Sequence, residues 1–363
     1  MTRSKEAHMR TVLATILLAV GFANAAAGQT SADDFRDKNF DYFVSGDPSK
    51  PRAAHTEYGV ALMGGGGAVD AAFKMIADRA GHGHIVILRA VSDDSFDADD
   101  GSYGKKFMAE WGPVASAETI TFHNRDASSD PRVLNALHEA DGIFLAGGDQ
   151  ANYVRYWKGT GVQAALNAHV KANRPIGGSS AGLAILGRYS YTAFDGGSME
   201  SNVALANPFD SGVTLEDDFL HIRNLESLIT DTHFSRRARL GRLITFVACL
   251  QSEQDKNVFG IGVDEKTALL VEADGSAHLA AGSAGSAWMV VPRAHATLKS
   301  GQALTMHDIA LTRIDADSVV DLRNHSVKKP GAIATLNIDG GQLSEPSIAS
   351  KILKRDLVPK DEG

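Results

Sequence analysis

From residue 58 to about residue 177, short apolar runs alternate with segments whose apolar residues recur at helical spacing. The runs at 58–63, 84–88, 119–122, 142–145 and 175–177 are almost continuously apolar and predict buried strands. Between them, Val69, Ala72, Phe73, Ile76 and Ala80 fall on one helical face. Further helices are predicted over 105–111, through Val133, Leu134 and Leu137, and near 163–172. Strands without polar alternation, separated by helices, indicate a parallel sheet covered on both faces. After residue 190 the rhythm changes. Strands are predicted around 228–230 and 258–263, with a helix over about 235–250 between them. The stretch 267–293 alternates like antiparallel hairpins, with a turn at Asp274 and Gly275. Residues 28–56 are polar and irregular and predict a loosely held arm, and the tail beyond 326 is expected to be peripheral. The fold class is α/β: a doubly wound, mostly parallel sheet with C-terminal antiparallel hairpins.

The first residues form a separate object. Arg3, Lys5 and Arg10 precede an apolar stretch at 11–23, followed by the small residues Ala23, Ala25 and Ala27. This is the pattern of a secretory signal peptide over 1–27, with an apolar run short for a membrane span. The mature protein is therefore expected in the periplasm or outside the cell, with no membrane association. The formal charge is −8 over 363 residues, and removing the leader makes the remainder more acidic. An acidic surface argues against nucleic acid as a partner. The single cysteine, Cys249, excludes an intramolecular disulfide and any multi-cysteine metal site; its apolar neighbours predict a buried small hydrophobe.

Candidate chemistry lies where strands end. Gly178-Ser-Ser-Ala-Gly182 follows a buried strand and opens an apolar helix, the context of a nucleophile elbow at Ser180. The amide of Ala181 would face the reaction centre at a helix N-terminus. The plainer reading of this pattern is a glycine- and serine-rich loop that caps a helix or binds an anion. His233 ends another predicted strand, where α/β sheets place site residues, and a serine nucleophile needs such an imidazole. Asp264 and Glu265 end a third. Alternation sends them in opposite directions, so one of the two could orient the histidine. The order serine, histidine, acid differs from that of α/β-hydrolases, which would require a late histidine such as His307 or His325.

Four segments together resemble the cyanophycinases and the related aspartyl dipeptidases: GGDQ (147–150), IGGSSAG (176–182), DTHFSRRARLGRL (231–243) and GIGVDEKTA (260–268), with ALMGGGG (61–67) also matching. The resemblance covers roughly 57–295. It implies a flavodoxin-like fold related to class I glutamine amidotransferases. It also implies a triad of Ser180, His233 and Glu265, oxyanion donors at Gly148 and Ala181, and substrate contacts from Gln150, Asp231, Arg237 and Arg242. Arginine forks suit carboxylate recognition, and helical spacing would put Arg239 and Arg242 on one face. The implied substrate is cyanophycin, an aspartate backbone with arginine on each side-chain carboxylate, released as β-Asp-Arg dipeptides. No metal or organic cofactor is implied. The resemblance also suggests a homodimer, for which the sequence itself shows no contact stripe. Thr232 departs from the glutamine the family carries there, and the stretch 186–226 is longer than a minimal member needs and could wall the cleft differently. Two other readings stand beside this one: a periplasmic aspartyl or β-aspartyl dipeptidase or isopeptidase acting on short peptides, and a non-catalytic protein that captures acidic ligands. The expected organisation is a leader at 1–27, an arm at 28–56, a hydrolytic α/β domain at 57–295 and a C-terminal extension at 296–363.

Overall fold

The computed structural model describes residues 34–91, 101–194, 197–254 and 257–344. The leader expected at 1–27 lies outside the described residues, as do the first part of the 28–56 segment and the end of the 296–363 extension.

The chain begins with β1 (Phe35–Arg36), β2 (Phe40–Gly46) and β3 (Val60–Met63). It continues through α1 (Asp70–Arg79), β4 (His84–Ala90), α2 (Ser102–Lys106) and β5 (Ser116–Phe122), with a wider helical turn at Phe107–Trp111 prolonging α2. Next come α3 (Pro131–Glu139), β6 (Gly142–Leu145), α4 (Gln150–Trp157), α5 (Gly161–Lys171), β7 (Ile176–Ser179) and α6 (Ala181–Ala184). Short elements follow: β8 (Ser190–Tyr191), α7 (Ser201–Ala206) and β9 (Leu215–Glu216). Then come β10 (Leu228–Asp231), α8 (Leu240–Gln254), β11 (Phe259–Val263), β12 (Ala268–Val271), β13 (Ser276–Leu279) and β14 (Ala287–Pro292). The last described strands are β15 (Met306–Ile314), β16 (Val319–Asp321), β17 (Ser326–Lys328), β18 (Ala332–Asp339) and β19 (Gln342–Leu343).

Among the described residues, an 11-stranded sheet runs β1-β2-β5-β4-β6-β7-β3-β12-β13-β16-β17. Its centre, β5-β4-β6-β7-β3, is parallel throughout. Counted from β4, the order β5-β4-β6-β7 is the 2-1-3-4 run of a flavodoxin-like sheet; the next place is taken by β3, which comes earlier in the chain. The near-continuous apolar runs are explained by burial on both faces. Every residue of β3 and β6 is buried, and α1 covers one face through Ala72, Phe73, Ile76 and Ala77. A 6-stranded sheet, β10-β11-β14-β15-β18-β19, stands beside the first. Its β10 and β11 are parallel, and the remaining pairs are antiparallel.

Several expectations change. The described part of the 28–56 segment is not a loose arm: β2 pairs with β5 from Phe40 opposite Phe122 to Gly46 opposite Ser116, and the Phe40 ring is buried. The aromatic residues Phe40, Tyr42 and Phe43, spread among polar ones, carry that strand, which lies between β1 and β5. The tail beyond 326 is not peripheral either. Ala334, Leu336 and Ile338 alternate inward from β18, which lies against β15. The preceding Lys-Lys-Pro-Gly hid that period-two pattern. The hairpin of β12 and β13 forms as expected, but β14 leaves it to pair with β11 in the second sheet. Helix α4 went unread because its buried residues, Ala151 to Val154 and Trp157, are almost contiguous; its N-cap, Asp149, accepts the Ala151 N–H at 2.9 Å. Cys249 is buried, as its neighbours imply.

Candidate active site

The parallel strands of both sheets end at one place. There β7 delivers Ser180, β3 the glycine loop 64–67, β6 Gly147 and Gly148, β10 Asp231 to His233, and β11 Asp264 and Glu265. The C-terminal edge of parallel strands is where open α/β sheets hold ligands.

Ser180 stands between β7 and α6 with φ 54° and ψ −118°. Such a conformation costs a non-glycine residue about 1–3 kcal/mol and has to be imposed by its surroundings. A Cβ on Gly178 would come within 2.5 Å of Gly182, and one on Gly182 within 2.0 Å of the Leu145 carbonyl oxygen. The small flanking residues are thus required by close approach, and the tight turn turns the hydroxyl outward.

Three side chains then form a line. Ser180 Oγ lies 2.8 Å from His233 Nε2, and His233 Nδ1 lies 2.7 Å from Glu265 Oε1. An ionised carboxylate can only accept, so Nδ1 carries the proton and Nε2 is left to accept from the serine. The outer oxygen of Glu265 is held by Arg236, whose Nη1 donates to Oε2 at 2.8 Å. Asp264 points the other way, as alternation requires. It accepts from the Ser235 and Ser286 amides at 2.9 and 3.1 Å and from the Trp288 indole at 3.3 Å, anchoring the neighbouring turns. Burial holds the His233 pKa below the ordinary histidine value; the bond to Glu265 opposes this, and Arg237 and Arg239 add to the lowering. Its imidazole is therefore neutral near pH 7 and able to take a proton. For Glu265, burial alone would raise the pKa, but His233 and Arg236 outweigh it and keep the carboxylate ionised.

The glycine loop is the seat of this arrangement. Gly64 accepts the His233 amide at 2.8 Å and Gly65 the Lys266 amide at 2.7 Å, so one loop fixes both the histidine and the acid. Gly65 has φ +90°, and a Cβ there would lie 2.7 Å from His233 Cε1 and Nε2; a Cβ on Gly66 would lie 2.7 Å from Glu265 Cδ. Four glycines in a row after a strand were the signal for this role, which the motif alone did not assign.

The serine opens into a cleft of about 680 Å³. Gly147, Gly148 and half-buried Gln150 line it, with Arg237, Arg239 and Arg242 opposite. The 186–226 stretch supplies part of the wall through Tyr191, Phe194 and Ser198. A wider groove of about 1190 Å³ lies beyond Glu265 and does not include Ser180.

The predicted arginine helix is corrected. Residues 235–239 are a series of turns, with Ala238 at φ +48°, and α8 begins only at Leu240. Arg237 is exposed in the cleft and has no carboxylate partner among the described residues. Asp231 and Arg242, expected to hold substrate, instead hold each other. Arg242 donates Nε to Asp231 Oδ2 at 2.8 Å and Nη2 to Oδ1 at 2.6 Å, and its Nη1 reaches Ser198 Oγ at 2.6 Å and the Met199 carbonyl at 3.1 Å. Arg239 joins them, 3.4 Å from Asp231 Oδ1 and 2.9 Å from both the hydroxyl and the carbonyl of Thr232. The trio lines the cleft as a largely buried floor and, through Ser198, is tied to its wall. Sequence spacing linked Arg239 and Arg242 but not Ser198, a distant serine that nothing local marks.

The model of the family described as "Peptidase family S51" matches residues 95–279, just over half of the 363-residue chain. The chain is 27% identical over 230 residues to a cyanophycinase of Synechococcus elongatus, covering 62% of this chain and 66% of that one. It is 30% identical over 159 residues to a cyanophycinase of Trichormus variabilis, covering 44% and 48%. The matched stretch is thus just under two thirds of the first relative's length and about half of the second's. A crystal structure of a peptidase from an acI-B1 Actinobacterium superposes with a TM-score of 0.49 at 14% identity, covering 74% of this chain and 98% of that one.

Proposed function

The chain belongs to peptidase family S51, and from that premise we propose that it is an exported serine-type peptidase hydrolysing cyanophycin to β-Asp-Arg dipeptides. The observation that carries this reading is the relay from Ser180 Oγ through the His233 ring to Glu265, at 2.8 and 2.7 Å.

His233 Nε2 removes the Ser180 proton as Oγ attacks the carbonyl carbon, and Glu265 holds the resulting imidazolium. The amides of Gly148 and Ala181 receive the negative charge that builds on the carbonyl oxygen, each worth about 3–4 kcal/mol at comparable sites. His233 then returns the proton to the departing amine as the C–N bond breaks, leaving an acyl-serine. Water, deprotonated by the same nitrogen, splits the ester and restores Ser180. Gln150 and Arg237 hold the acyl portion, and no cofactor takes part.

Mass spectrometry of products after incubation with insoluble cyanophycin tests the proposal. Release of β-Asp-Arg by the wild type, with a loss on the order of 10⁶-fold in Ser180→Ala, is expected. Undiminished release by the variant would remove Ser180 from the chemistry.

One observation favours a second reading, a dipeptidase or isopeptidase acting on short aspartyl or β-aspartyl peptides. Thr232 stands where the cyanophycinases carry glutamine, and its hydroxyl is taken up by Arg239 at 2.9 Å. No side-chain amide reaches from that position into the cleft, a difference that would alter contacts with substrate there. Cleavage of Asp-X peptides with cyanophycin left intact would favour this reading. Failure of Ser180 to label with a serine-directed covalent inhibitor would point to the non-catalytic binder. Export rests on the leader pattern at 1–27; recovery of the protein from the cytoplasm with Met1 retained would refute it.

A further inference from the structure

Ser180, His233, Gly147 and Tyr103 border two depressions, not one. The first is the arginine-bearing cleft. The second, about 330 Å³, is walled by the 64–67 loop, the rings of Tyr103 and Trp111, and Lys106. Any enzyme that splits an amide at Ser180 has to seat two pieces, one on each side of the nucleophile, and the histidine has to face the departing nitrogen. Arg237, exposed there without a carboxylate partner among the described residues, suits an acidic acyl half, which leaves the second depression for the departing half.

The chemistry of that depression is specific. Among the described residues lining it, Lys106 is the one lysine or arginine. It is exposed and has no carboxylate partner among the described residues; its ammonium rests 5.6 Å from the centroid of the Trp111 ring. That ring is a fixed platform. Phe73 stacks on it at 3.8 Å and 7°, and its indole N–H donates to Asp70 Oδ1 at 2.8 Å. A cation held over a rigid aromatic face at the end of a small pocket fits an anionic terminus.

We infer that this depression is the leaving-group subsite and that Lys106 binds the C-terminal carboxylate of the departing piece. The inference rests on the hydrolytic reading of Ser180. It makes the enzyme read chain ends: a bond whose departing side carries a free carboxylate is cut in preference to the same bond followed by more chain.

The test compares Asp-Leu and its β-linked isomer, each as free acid and as C-terminal amide. Wild type is expected to favour the acid about tenfold in kcat/KM, the scale of a hydrogen bond to a charged group. Lys106→Met should erase the preference and Lys106→Glu reverse it. An unchanged acid-to-amide ratio in Lys106→Met overturns the subsite. Calorimetric binding of the same peptides to Ser180→Ala protein reads the ratio without turnover. There, equal affinity for acid and amide also overturns the subsite. An acid preference that Lys106→Met removes supports it even if wild type hydrolyses neither peptide, an outcome that counts against the short-peptide reading, while the hydrolytic reading itself stands or falls on the cyanophycin assay.

Discussion

Replacing Asp231 by asparagine should unfold this protein more readily rather than merely weaken substrate binding. The carboxylate is buried and accepts two hydrogen bonds from Arg242, at 2.8 and 2.6 Å, with Arg239 at 3.4 Å and the Thr232 amide at 2.8 Å. The substituted amide would keep the shape and lose the charge, leaving two buried guanidinium groups facing one another with no counterion. Breaking one partner of a buried ionic group costs about 3–5 kcal/mol, against a total stability of about 5–15 kcal/mol for a domain. Burial already pushes Arg239 down to about 10, with Asp231 opposing that shift. Urea unfolding at pH 7 measures the loss as a lower midpoint. The pH dependence supplies a second check. Burial alone would raise the Asp231 pKa, but Arg242 and Arg239 hold it below the ordinary value. A depressed carboxylate stabilises the fold above its unfolded pKa of about 3.9 and stops doing so as the pH falls through its lower folded value. The deficit of Asp231→Asn should therefore be full at neutral pH and shrink in strong acid. Replacing all three residues together, Asp231→Leu with Arg239→Met and Arg242→Met, should recover part of the loss, because the cost lies in unpaired charge. A loss below about 1 kcal/mol in the single variant at pH 7 would refute the reasoning.

Other perturbations separate the neighbouring roles. Gly65→Ala places a methyl 2.7 Å from the His233 ring; we expect about a hundredfold loss of kcat, and a crystal structure of the variant should show the ring displaced from Ser180. Arg237→Ala should raise KM for acidic substrates with little change in unfolding midpoint. It should also move the acid limb of the kcat/KM profile upward, because Arg237 is one of the groups that lower the His233 pKa; an unmoved limb would detach Arg237 from the histidine. Arg236→Gln frees the outer oxygen of Glu265, and a few-fold loss of kcat at neutral pH, deeper at acid pH, is expected.

Much of the molecule was readable before its shape was known. Continuous apolar strands separated by helix-spaced segments announce a parallel sheet, because strands covered on both faces need no polar alternation. Ser180, His233 and Glu265 were recognisable for a related reason: each closes a strand, and an α/β sheet gathers strand ends. Their neighbours were less so. Residues 40–46 read as irregular because their aromatic residues are mixed with Asp41, Ser45 and Gly46, and the strand takes its register from β5. Residues 332–339 were obscured by the lysines and proline before them.

What tertiary structure alone decided was direction and partnership. Sequence left Asp264 and Glu265 as alternatives; the fold turns one toward His233 and the other into the turns at 235 and 286. It assigned the basic run at 236–242 to one helix, whereas the chain makes turns first, sending Arg236 to Glu265, Arg237 into the cleft, and Arg239 and Arg242 down onto Asp231. The physical reason is that a charge has no fixed meaning along a chain. Whether a guanidinium meets solvent, substrate or a buried carboxylate depends on the partners the fold places within its reach, here the carboxylates Asp231 and Glu265 and the distant hydroxyl of Ser198.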